Sequence, residues 1–128
     1  MAASRLCAPV KEIVMSLSLT LLAELKARPG KSGELGERLQ ALVEPTRRED
    51  GCLGYVLHRS SEDADVFLLY ERWRSRQDLD LHLATPYLLD FFARAPELLA
   101  GDVGMRFFQA MPATQVAGQP FPMQGEPQ

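Results

Sequence analysis

The sequence predicts one α+β domain built as βαββαβ, with helices packed on one face of an antiparallel sheet. Three observations carry this. Four short segments read as strands, the first by an alternation of apolar and polar residues that only Leu22 interrupts. Two longer segments place leucines at helical spacing. Glycine, proline and charged turn signals separate them in the order strand, helix, strand, strand, helix, strand, which is the ferredoxin-like split βαβ plan.

The first strand is expected over residues 16–28, SLSLTLLAELKAR, where Leu17, Leu19, Leu21, Ala23 and Leu25 share one face. RPGKSG turns the chain. The segment 34–50 then aligns Leu35, Leu39 and Leu42 with Val43 beside them, and Pro45 should kink or break this helix because it lacks an N–H. Residues 52–60 and 66–75 are β-rich, and SEDAD between them makes a hairpin. By parity Phe67, Leu69, Glu71 and Trp73 share one face of the second of these strands, and Val66, Leu68, Tyr70 and Arg72 the other.

Ser75 is a good N-cap, with Asp78 where a capping-box acid stands. Leu79, His82 and Leu83 follow at i, i+3, i+4, so His82 points inward with the leucines. Thr85-Pro86 restarts a helix whose expected apolar side is Leu88, Leu89, Phe92 and Ala93, stopped or kinked at Pro96 and ended by Gly101. Residues 103–111 are the last strand. The domain is thus expected over 16–111, after an N-terminal extension (1–15) in which Met15 is an alternative start. An irregular tail rich in proline, glycine and glutamine (112–128) follows.

A chain of 128 residues is one domain's worth. Its net charge of -3 argues against nucleic-acid binding. No apolar run reaches the roughly 18 residues of a membrane span, and residues 1–20 do not make a signal peptide because Lys11 and Glu12 interrupt the apolar stretch. Cys7 and Cys52 without a secretion signal read as reduced thiols of a cytoplasmic protein. No cysteine–histidine cluster suggests a metal. The outward apolar residues of the strands imply that a second copy covers the sheet.

The stretches LTLLAELKARPGK, EDGCLGYVLHRS, FLLYERWRSRQDLDLHLATPYLLDF and ELLAG occur in an order that resembles the antibiotic biosynthesis monooxygenase family, in particular its bacterial quinol monooxygenase branch. The resemblance covers about residues 17–111. It implies a dimeric α/β barrel, in which two subunits join sheet to sheet and each keeps a pocket between its sheet and helices. It further implies oxygen insertion into a small aromatic, quinol or polyketide-like ligand with no metal or flavin. Many relatives read TPH after the helix histidine, where this chain has Tyr87. At the places where the haem-degrading branch carries asparagine, tryptophan and histidine, this chain has Ala23, His82 and Phe92, which disfavours haem degradation.

His82 is then either a half-buried helix residue with a local hydrogen bond or a general base, for which its ordinary pKa suits it. Glu71 either orients His82 or is an edge charge. Trp73 is core, and the resemblance makes it also a pocket wall. Tyr55, Tyr70 and Tyr87 are candidate phenol donors or packing residues, with Tyr70 on the face away from Trp73. Phe91 and Phe92 are core, Phe92 being the better candidate for pocket lining. His58 is solvated and Cys52 buried. A cofactor-free monooxygenase with His82 and Glu71 as catalytic groups is the leading expectation. An isomerase of a small oxygenated metabolite and a non-catalytic ligand-binding dimer remain beside it.

Overall fold

A computed structural model describes residues 18–111. The expected extension (1–15), the tail (112–128), the first residues of the expected first strand and Cys7 lie outside the described residues. The elements are β1 (Leu19–Lys26), α1 (Ser32–Arg47), β2 (Cys52–Arg59), β3 (Val66–Trp73), α2 (Arg76–Leu83), α3 (Pro86–Leu98) and β4 (Gly104–Gln109). All neighbouring strands are antiparallel, in the order β2-β3-β1-β4. This is the α+β, ferredoxin-like arrangement: β3 lies between β1 and β2, which the α1 crossover joins.

The alternation in the sequence sorts the strands cleanly. Leu21, Ala23 and Leu25 of β1 and Phe67, Leu69, Glu71 and Trp73 of β3 are all buried against the helices. Leu35, Leu39 and Leu42 of α1, Leu79 of α2, and Leu88, Phe91, Ala95 and Leu98 of α3 close the core from above. Gly30, at φ +81, supplies the left-handed residue that turns β1 into α1. Ser75 caps α2 by accepting from the Asp78 amide at 3.1 Å. The Asp78 carboxylate takes the Ser75 hydroxyl and the Arg74 guanidinium instead of the reciprocal backbone N–H. Thr85 caps α3 with Pro86 at its first turn, and its hydroxyl also donates to the His82 carbonyl at 2.8 Å. The two helices are thereby tied together at the histidine.

One expectation is corrected, and each helix proline proves to sit where its helix ends. The helix α1 runs through Pro45 to Arg47, and α3 runs through Pro96 to Leu98. Both prolines stand in a last turn, where one missing N–H forfeits little further helix. The buried stripe of α3 is Leu88, Phe91, Ala95 and Leu98, while Leu89 and Phe92 are 57% and 36% exposed and Ala93 is exposed as well. Two apolar stripes overlap in the first turns of this helix, and its second half decides which faces inward.

Candidate active site

The site lies between the sheet and the helices, where His82 comes down from α2. Its side chain is 1% exposed. The Trp73 ring is tilted over the imidazole at 4.6 Å between centroids, and the Tyr55 ring meets it edge-on at 5.6 Å. The turn after α1 brings Glu49 to the same place: its Oε2 lies 2.9 Å from His82 Nδ1. The Tyr87 hydroxyl donates to that same carboxylate oxygen. The turn is anchored by backbone bonds from Glu49 to Thr46, from Cys52 to Glu49 and from Arg74 to Gly51. A carboxylate only accepts, so Nδ1 carries the proton and Nε2 is the basic nitrogen.

His82 lines a small cavity together with Glu71, Tyr55, Leu83, Phe92 and Met105, the rest of the wall being aliphatic or phenyl. Phe92 and Met105 are the exposed members of that wall. The cavity measures about 30 Å³. That admits a water, whereas a pocket that accommodates benzene measures on the order of 150 Å³. Larger hollows elsewhere, such as that bounded by Arg28, Phe92 and Val103, are open surface grooves.

Burial sets the charges. Desolvation holds the His82 imidazole below its ordinary pKa, and the Glu49 carboxylate restores only part of it. Burial pushes Glu71 up to about 7; the Trp73 indole opposes the rise and the Glu49 charge adds to it. Desolvation and the Glu49 carboxylate push the Tyr87 phenol up to about 12, and burial raises Tyr55 as well. The arrangement is a neutral imidazole locked in one tautomer, with a carboxylate behind it ready to stabilise an imidazolium. That is the equipment of a general base.

The sequence-predicted residues divide. His82, Glu71, Tyr55 and Phe92 line the cavity. Trp73 and Tyr87 stand one layer back: Trp73 is fully buried behind His82, and Tyr87 reaches Glu49. The partner of His82 is Glu49, not Glu71, whose Oε1 instead accepts from the Trp73 indole at 2.9 Å. Glu71 and Trp73 are two apart on one strand face, which puts those two side chains in reach of each other first. Glu49 was hidden in the charge-balanced stretch TRRED, and periodicity says nothing about where a turn residue will point. His58 is exposed and Tyr70 is on the outer face, 38% exposed. Among the described residues, no group of three or more histidine, cysteine or acidic side chains could hold a metal ion. No helix there is long and apolar enough to cross a membrane.

Residues 18–94 match the model of the antibiotic biosynthesis monooxygenase family. The protein sll1783 of Synechocystis is 32% identical over 91 residues, 71% of this chain but only 62% of its own length. Rv0793 of Mycobacterium tuberculosis, a monooxygenase by name, is 36% identical over 71% of this chain and 89% of its own. Its solved structure superposes with a TM-score of 0.71 at 33% identity, covering 77% of this chain and 99% of that one. YgiN of Escherichia coli, a quinol monooxygenase by name, is 28% identical over 66% of this chain and 88% of its own length.

Proposed function

The chain belongs to the antibiotic biosynthesis monooxygenase family, and from that premise we propose that it oxidises a small hydroxylated aromatic or quinol with molecular oxygen, with His82 as the general base. The observation that carries this is a neutral imidazole on the wall of an apolar cavity, its Nδ1 fixed by Glu49 at 2.9 Å. His82 Nε2 takes the phenolic proton. The phenolate gives one electron to oxygen, and the resulting pair joins at a ring carbon. The ring gains one oxygen as a carbonyl and loses one C–H and the O–H, and the second oxygen atom leaves as water. The substrate is its own electron donor, so no separate reductant enters the balance. A largely apolar cavity, once a ligand displaces its water, protects the radical pair and raises the worth of each polar contact. A second copy of the chain covers the outer sheet face in this reading.

An oxygen electrode with hydroquinone as substrate tests it. His82→Ala should cost roughly a hundredfold to ten-thousandfold in turnover, the usual range for loss of a general base. The loss should shrink at high pH, where the substrate ionises unaided. His82→Gln should lose activity equally while keeping the fold, and Glu49→Gln, which removes only a positioning residue, should lose less. Wild-type rates in both His82 variants would make the histidine a packing residue. If oxygen uptake is absent but substrate protons exchange into deuterated water, the base serves an isomerisation instead.

A further inference from the structure

Glu71 is a buried acid with no cation beside it. It is 4% exposed and lines the same apolar cavity as His82. Its Oε1 accepts one hydrogen bond, from the neutral indole of Trp73, and among the described residues it takes part in no ion pair. Its neighbours do not supply the missing charge. Opposite it on β1 is Leu21, and opposite it on β2 is Tyr55. Leu88, Phe91 and Phe92 of α3 and Met105 of β4 are apolar wall. The titratable groups around it are the neutral His82, the phenol of Tyr55, the thiol of Cys52 and the carboxylate of Glu49, which opposes a second negative charge. Arg47, whose Nε donates to the Tyr55 carbonyl, makes no ion pair with Glu71 and is not among the groups that shift it.

An ionised carboxylate in such a place is costly, and the uncharged acid avoids the cost. We propose that Glu71 stands in the cavity as a neutral carboxylic acid whose O–H donates to a second oxygen of the ligand, so that the site selects rings bearing two oxygens over simple phenols. The two oxygens of Glu71 divide the work. Oε1 is held by Trp73, which fixes the carboxyl plane, and the protonated oxygen is left for the ligand. The rise of Glu71 to about 7 agrees with this. His82 receives the proton of one ligand hydroxyl and Glu71 marks the position of the other oxygen. A site built to bond a ligand oxygen rejects the analogue lacking it, because its own buried group is then left unpaired. The inference rests on the cavity being the ligand site of the function proposed above.

Two measurements that need no turnover test it. In infrared difference spectra at about pH 6, below the Glu71 value, the wild type should show a protonated-carboxyl C=O stretch that Glu71→Gln lacks. In anaerobic calorimetry the wild type should bind hydroquinone about tenfold tighter than phenol, the usual worth of one hydrogen bond. Glu71→Gln still offers an N–H donor and should keep most of that preference, and Glu71→Leu should lose it. Absence of the carboxyl band in the wild type overturns the proposal. So does a wild type that binds the two rings alike or binds neither, or a Glu71→Leu protein that keeps the preference. If both measurements succeed and no oxygen is consumed, the monooxygenase reading fails and the acid stands.

Discussion

Two buried ionisable side chains face one cavity with their pKa values displaced in opposite senses from their ordinary ranges. Their effects on stability run against each other. Glu71, raised from 4.5 to about 7, holds its proton more tightly folded than unfolded. Its contribution is therefore complete below the unfolded value and is lost as pH rises through about 7. His82, lowered from 6.5, contributes above that value and loses its contribution as pH falls through the folded one. Glu71→Gln removes the first effect alone. Between about pH 5 and about pH 8 the variant should gain on the wild type by on the order of 2 kcal/mol. Urea midpoints at the two pH values measure it, and a constant difference would mean that Glu71 is ionised at both.

At the level of elements, the site depends on how the turn after α1 seats against the first turn of α2. Gly51 makes that seat. A Cβ there would fall 2.2 Å from Asp78 Cγ. Asp78 cannot swing aside, because Arg74 holds its carboxylate at 2.9 Å and Ser75 at 2.7 Å. Gly51→Ala should therefore cost about 2 kcal/mol, the range of overpacking a tight contact, read as a lower denaturant midpoint. Glu49, two residues earlier, should leave His82 in the same step. The sequence shows part of this. Period two put Glu71 and Trp73 on the inner face without ambiguity, since a strand has only two faces. The i, i+3, i+4 stripe of Leu79, His82 and Leu83 likewise put the histidine inward. The helix phase of α3 was not legible, because Leu88, Leu89, Phe91 and Phe92 offer two overlapping stripes. Neither was Glu49, whose contact with His82 spans 33 residues and depends on the seat at Gly51.

Among the described residues, the helices lie on one side of the sheet and none covers the other. Val56, Tyr70, Leu22 and Arg106 form one row across the outer face by strand register. Val56 and Tyr70 are 39% and 38% exposed, and Phe108 on the same face is 48% exposed. Apolar surface gathered on one face is the usual mark of an association site, and two-fold pairing is the commonest solution. Light scattering should give about twice the 14.3 kDa chain mass, and Tyr70→Glu should move it toward the single chain by placing a charge at the centre of the contact. A stable wild-type monomer at micromolar concentration would remove the second copy from the functional reading.

The cavity beside His82 is smaller than any ring it would receive, and Phe92 and Met105 are the exposed side chains of its wall. In the functional reading proposed above, a ring would enter only from conformations in which side chains of the cavity wall have turned away. Capture is then limited by the rate of opening and not by encounter. In stopped-flow mixing the observed binding rate should level off as ligand concentration rises, where simple encounter would keep it climbing in proportion. Phe92→Ala, which trims the wall without touching the base, should lift that ceiling.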